Sequence, residues 1–411
     1  QTPDEAAPPK GFSQLSIHRW EFITLIACLI SMNAMAIDIM LPALGEISDE
    51  YQLVNANDRQ LVIFVYVLGF GAPQLIFGPI SDRYGRKMPL QICLLGYALA
   101  GFVCIASNSF AVLLAARFVQ GVFASGVRVV ATSIVRDLFV GREMASVMSL
   151  IMTVFMIIPI IAPALGAGIM LFVSWPWLFI VLGLFGAAAF VWVGLRLPET
   201  MPEENKKPIS LPQTVSAYRT VISTPVTLGY MTASGVIFGA LYAFVAASEQ
   251  IFTEVFHKED TFVLWFGGIA AALAAANLTN SKIVRRFGMR RISHIVLIAF
   301  TSLSLLCAAG LSVFGETLWI FFPLFMIIFG CFGMLGSNFS AIALEPLGNI
   351  AGTASAALGF ATTTVASFFG WLVASQFNGS VIPILLGYAG LGFAALVIVL
   401  ITERGKLFGT K

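Results

Sequence analysis

Charge is what this sequence has least of. Only 11% of its 411 residues are Asp, Glu, Lys or Arg, against 58% hydrophobic, where an ordinary soluble chain is about a quarter charged. That is too little polar surface to cover a soluble globule of this length, so lipid must face much of it. The motifs of common catalytic centres are missing too. There is no H-E-x-x-H, no G-x-S-x-G and no G-x-x-x-x-G-K-[ST], and a membrane enzyme or a nucleotide-driven pump would need such a constellation. Cys28, Cys93, Cys104, Cys307 and Cys331 form no C-x-x-C pair and lie in apolar runs, where they read as small buried hydrophobes. His18, His257 and His294 have no ligand spacing. No metal and no other cofactor is expected, and the net charge of +2 carries no message about nucleic acid.

What is present is long apolar runs. A helix needs about 20 mostly apolar residues to cross a bilayer core. Twelve runs qualify, at approximately 20–46, 58–80, 89–107, 111–135, 145–170, 175–196, 218–246, 260–281, 292–313, 317–342, 354–377 and 381–402. The expected fold is an all-α membrane protein with twelve transmembrane helices in two six-helix bundles, over 16–197 and 217–403. Between them 198–216 reads as a cytoplasmic central loop, because "LPETMPEENKKPISLPQT" carries charges and four prolines. Residues 1–15 read as a disordered cytoplasmic tail, not a signal peptide, and 404–411 as a second cytoplasmic tail. With both termini in the cytoplasm, all of the 23 lysines and arginines except Arg59, Lys258, Arg117 and Arg128 fall on the cytoplasmic side, as the positive-inside rule requires. The halves also echo each other. "GPISDRYGRK" follows the second helix and "SKIVRRFGMRR" the eighth, and such repeats are common in secondary transporters.

The first of those loops, Gly78-x-x-x-Asp82-Arg83-x-Gly85-Arg86-Lys87, resembles the signature loop of the major facilitator superfamily at every position. Gly78 would let another helix approach closely, and Gly85 would permit a turn that a β-carbon strains. Asp82 could face the positive end of the eleventh helix near Gly352, Thr353 and Ala354. The resemblance implies that this contact latches one access state, with Arg86 pairing with Asp137 of "IVRDLF". In the fourth helix Arg117-x-x-Gln120-Gly121 resembles the R-x-x-Q-G element of proton-coupled members. Arg128 lies eleven residues on, about 20° round the helix and about 16 Å along it, so both arginines share a face. In the fifth helix Pro159, Pro163, Gly166 and Gly168 resemble a degraded antiporter motif, and small residues with prolines suit a hinge. "AIDIMLPAL" places Asp38 four residues before Pro42. That spacing resembles the bicyclomycin and chloramphenicol resistance group of drug:proton antiporters, as do "SWPWLFIV", "LPET" and "EPLGNIAGTASA".

Asp38 is the residue on which this reading turns. An intramembrane carboxylate is a functional-site hypothesis by default, and one caught between burial and a neighbouring arginine can titrate near neutral pH. Asp38 and Arg117 are therefore the expected proton-coupling pair. The expected function is a proton-coupled antiporter exporting small hydrophobic or amphiphilic drugs by alternating access. The alternative is a proton-coupled carrier of an anionic metabolite or siderophore, in either direction, with Arg117 or Arg128 as counter-charge. Met35, Tyr66, Arg128, Phe155, Met156, Phe238, Tyr242, Asn338 and Phe360 are candidate substrate-binding residues, since aromatic and Met side chains suit greasy substrates. Glu249 reads as a solvated residue at the outer mouth. Energy must come from an ion gradient, and proton as coupling ion is what the resemblance implies. The expected setting is the bacterial cytoplasmic (inner) membrane, as a lipid-embedded monomer with a small-molecule substrate.

Overall fold

The computed structural model describes residues 17–206 and 210–408. The tail expected over 1–15 lies outside the described residues, as do 207–209 of the central loop and 409–411 of the C-terminal tail. Each apolar run is helical, because a backbone facing lipid must satisfy its N–H and C=O groups within its own segment. α1 is Arg19–Asp38, continued past a break by the short turns Leu41–Ala43 and Leu44–Glu50. α2 is a bent pair, Leu61–Gly71 and Gln74–Tyr84, turned by 43° where Pro73 withholds a backbone donor. α3 (Lys87–Ile105), α4 (Phe110–Leu138), α5 (Gly141–Met170) and α6 (Pro176–Arg196) complete the first half. The second half is α7 (Pro225–Gln250), α8 (Phe262–Phe287), α9 (Met289–Phe314), α10 (Leu318–Leu344), α11 (Ala351–Ala374) and α12 (Ile382–Thr402). Eleven of these spans are long and apolar enough to cross a membrane, and the bent α2 is the twelfth. The twelve-helix architecture read from the apolar runs is the one observed.

Twelve crossings return the chain to the end where it began. That end is called the terminal end below, and the opposite one the far end. At the terminal end the last turn is pinned: the Phe408 N–H donates to His294 Nδ1 (3.0 Å). His294 is fully buried, and its Nε2 lies 3.0 Å from the Tyr230 hydroxyl, which donates to Glu403.

The two largest differences from the boundaries read in the sequence both come from proline. The first run stops being α-helical at Asp38, since Pro42 cannot donate into the turn before it. The seventh run starts at Pro225. The residues ahead of it form a separate linker helix, Leu211–Ser223, capped by the Ser210 side chain on the Gln213 N–H. Thr224 between the two is extended (φ −89°, ψ 108°), the conformation a residue before proline prefers. Part of the expected central loop is thus an amphipathic helix.

Within the first half, α2 and α4 pack almost backbone to backbone. A β-carbon on Gly121 would stand 2.2 Å from the Tyr66 carbonyl oxygen, and one on Gly69 2.2 Å from that of Phe118. Small residues permit this approach, and without a hydrophobic drive between helices in lipid, such packing holds a bundle together. Gly121→Ala should therefore destabilise the protein by about 1–3 kcal/mol, read as a lower thermal unfolding midpoint in detergent. Gly168→Ala, whose β-carbon would meet nothing within 4 Å, should leave the midpoint in place. Equal midpoints for the two variants would contradict the close α2–α4 contact.

Candidate functional site

Five charged side chains are buried among the described residues: Asp38, Arg59, Arg86, Arg117 and Glu249. Arg117 is completely buried and has no acid partner among the described residues. Its Nε donates to the Val62 carbonyl of α2 (3.2 Å) and its Nη2 to the Ala36 carbonyl of α1 (3.0 Å). Its Nη1 donates to Gln120 Oε1 on its own helix (2.8 Å), and the guanidinium lies over the Tyr66 ring at 4.2 Å. An arginine at this depth costs at least about 2.5 kcal/mol on insertion scales. Hydrogen bonds to charged groups, at about 1.5–3 kcal/mol each, together with the ring contact offset that cost. All three residues of the R-x-x-Q-G element thereby acquire a structural duty: Arg117 ties three helices, Gln120 receives it, and Gly121 admits α2.

Asp38 is the last residue of α1 and is only 5% exposed. No hydrogen bond or ion pair joins it to any other described residue. The expected pairing with Arg117 is not observed. Arg117 instead holds the carbonyl two residues ahead of Asp38, because that carbonyl faces α4. The hinge motif on α5 meets this same break. A β-carbon on Gly166 would stand 2.2 Å from the Ile39 carbonyl oxygen and 3.1 Å from Pro42. Pro159 and Pro163 lie inside the continuous α5, each removing one backbone hydrogen bond. Gly168 has open space around it, so it takes no part in this packing.

At the terminal end a cavity of about 750 Å³ lies between the halves. Its walls are α2 (Gln74 to Asp82), α4 (Arg128 to Asp137), the linker helix and the start of α11. The signature loop forms part of the wall. Arg86 donates through Nε and Nη2 to both Asp137 oxygens (2.7 and 3.2 Å), and through Nη1 to Asp82 (2.6 Å) and Ser81 (2.7 Å). Burial works against the Arg86 charge, yet Asp137 and Asp82 outweigh it and hold its pKa above the ordinary arginine value. The Arg86–Asp137 pairing expected from the motif is observed. The expected contact of Asp82 with the start of α11 is not: Asp82 and Gly352–Thr353 both line the cavity, and Asp82 bonds back to Arg86. Gly78 also borders this space, with nothing within 4 Å of a β-carbon there, so no helix presses on it in this state. Gly85 does sit in the left-handed region, at φ +87°. Beside it lies a residue that motif reading missed. Glu199 of "LPET" accepts the Arg86 N–H (2.9 Å) and the Lys87 N–H (3.1 Å), a carboxylate on the positive end of α3.

The family can now be stated. The profile of the Major Facilitator Superfamily matches residues 23–371. This chain belongs to it. The chain is 32% identical over 359 residues to an uncharacterised MFS-type transporter, YdgK, of Bacillus subtilis, covering 85% of this chain and 87% of that one. It is 31% identical over 370 residues to the bicyclomycin resistance protein homolog of Haemophilus influenzae, covering 89% and 91%. Among solved structures, a bacterial homolog of the human lysosomal transporter Spinster, in an inward-facing and occupied conformation, superposes with a TM-score of 0.66 at 12% identity, over 94% of this chain and 96% of that one. That likeness shows the shared fold. The chain is a multi-pass membrane transporter of this superfamily.

As in any two-halved transporter, what joins the halves decides which way the centre opens. At the far end they are bonded together. Arg59, ahead of α2, pairs with Glu249 of α7 (Nη1 to Oε2, 3.3 Å) and also with Glu254. Gln60 donates to Gln250 (2.6 Å), Gln250 to Asn57 (2.9 Å), and Asn57 to the Phe377 carbonyl beyond α11 (2.8 Å). Glu249 is therefore a buried partner, only 8% exposed, and not the solvated residue the sequence suggested. Nearer the middle, the broken α2 meets α11 where the latter turns π-helical over Ala361–Val365; Gln74 bonds Thr363 (3.2 Å) and Ser367 bonds the Phe64 carbonyl (3.1 Å).

The residues expected to line a substrate site scatter. Only Arg128 borders the cavity. Asn338 is engaged instead in a reciprocal pair with Asn280, 3.0 Å in each direction, which ties α8 to α10. Tyr66 is fully buried under Arg117. Phe238 meets the Phe332 ring at a tilt within the second half. Met156 receives Asn277 across the α5–α8 seam. Tyr242 lies within electrostatic reach of both Asp38 and Arg128. Met35, Phe155 and Phe360 are partly buried and do not line the cavity. Aromatic type alone did not separate packing from lining, because both need the same side chains.

If the far-end cluster closes the transporter there, Arg59→Gln should open it. With the five native cysteines replaced and Ser248→Cys as reporter, labelling by a membrane-impermeant maleimide added from the far side should rise several-fold over the Arg59 parent. Unchanged labelling would show that the ion pairs are not what holds that end shut.

Proposed function

We propose that this transporter is a proton-coupled antiporter that exports small hydrophobic or amphiphilic drugs by alternating access. We place it as a monomer in the bacterial cytoplasmic membrane, with the terminal end in the cytoplasm, where the lysine and arginine bias favours it. The antibiotic named in the Haemophilus influenzae relative supports the drug class. One observation carries the coupling: of the buried charges, Arg59, Glu249, Arg86 and Arg117 are all bonded, and Asp38 is not. A carboxylate sealed without a partner binds and releases a proton most readily when a conformational change opens its surroundings. Asp38 sits at a break in α1, and the next residues of that break, Ile39 and Pro42, pack on Gly166 of the proline-bearing α5. Rocking of α5 against α1 would uncover it. In this reading Arg117 keeps the break in register and does not exchange protons.

Proteoliposomes with an imposed pH gradient test this directly. Asp38→Asn should abolish pH-driven flux of lipophilic drugs while keeping the unfolding midpoint of the parent. Undiminished flux in that variant would remove Asp38 from the mechanism. Flux driven equally well by a sodium gradient at constant pH would remove the proton.

A further inference from the structure

The terminal-end cavity has a charge inventory that export of neutral drugs does not use. Five charged side chains line it: Arg86, Arg128, Arg136, Asp82 and Asp137. Arg86 holds both acids. Arg136 is exposed at the rim, next to Asp137. Arg128 lies eight residues deeper on α4, about 12 Å along the axis. No carboxylate pairs with its guanidinium among the described residues, and the contact it does make is with the Phe70 ring, at 5.7 Å. An arginine inside a membrane span is costly and characteristically faces a substrate or ion path. Here it faces a space large enough for a drug-sized molecule.

The rest of the wall fits the same chemistry. Pro79, Val129, Ala356 and Tyr218 supply apolar surface, and Gln74 and Thr132 supply polar groups to the same wall. α11 begins at this cavity with no side-chain cap and no acid in its first turn, so the positive pole of the helix adds to the field of Arg128. A guanidinium also offers a planar fork that matches carboxylate and phosphate.

We infer that this cavity binds amphiphilic organic anions, with a carboxylate or phosphate monoester held by Arg128 and an aromatic or aliphatic body against the apolar wall. The inference rests on the chain being a transporter and adds acidic amphiphiles to its cargo. The anion enters from the terminal end, past Arg86 and the two acids it holds, and stops at Arg128.

Calorimetric titration of the purified full-length protein in phosphatidylcholine nanodiscs tests the assignment. The probes are 1-naphthoate, 1-naphthyl phosphate and the neutral 1-naphthamide. Both anions should bind about tenfold or more tightly than the amide, with the preference falling as salt is raised. Arg128→Gln should erase the preference while keeping the unfolding midpoint, and Arg128→Lys should retain part of it. Replacing some of the phosphatidylcholine by phosphatidylglycerol should leave the preference intact. Loss of it there would assign the site to lipid headgroups and overturn the inference, as would equal binding of acid and amide or a full preference in Arg128→Gln. The same preparations, reconstituted, report pH-driven flux of a neutral drug. Flux without anion preference sinks only this inference, and anion preference without flux sinks only the proposed coupling.

Discussion

A full positive charge buried in the first half, with no acid among the described residues paired to it, sets the terms for everything around it. Arg117 can stay charged there only if protein dipoles replace water. The carbonyls of Ala36 and Val62 and the amide of Gln120 do so. Those bonds require α1, α2 and α4 to converge, and convergence in turn requires glycine at 69 and 121, where the backbones nearly touch. The break in α1 lies just beyond the captured carbonyl, so the same arginine determines where Asp38 stands. The acid and the arginine act on one segment without touching.

The two ends of the molecule are held differently. At the far end the halves share ion pairs and side-chain amide hydrogen bonds across the seam. At the terminal end the strongest charges are bonded within the first half, Arg86 to Asp82 and Asp137, and a cavity separates them from α11. Asp82, bonded to Arg86 and bordering that cavity, is placed to exchange its partner when the halves approach, and the ion pairs of the far end would then have to part. Two weak points in the backbone lie between these ends and face each other, the bend of α2 and the π-helical stretch of α11. π-bulges are frequent at functional sites.

Much of the fold was legible because hydropathy acts locally: a run long enough to cross lipid has to be a helix. Proline limited that legibility. Pro42 and Pro225 moved two helix boundaries, since a missing donor acts on the turn before it and not on average hydropathy. The Arg86–Asp137 pair was readable from a motif whose residues lie close in the fold. The lining residues were not, because a Phe or Met on a membrane helix suits lipid, a neighbouring helix or a cavity equally well. Glu199 and the Arg59–Glu249 pair were missed for a related reason: each partner looks like an ordinary charge at a helix end until the other is brought to it.

By itself the sequence determined the helical class, the number of crossings, the division into halves and the scarcity of buried charge. These follow from composition and spacing along one chain. Only the tertiary structure decided which of those charges are satisfied. Satisfaction depends on groups tens to hundreds of residues away, the Ala36 carbonyl for Arg117 and Glu249 for Arg59. Among the described residues, it is the packing of helices that leaves Asp38 without a hydrogen bond or ion pair and Arg128 without a carboxylate.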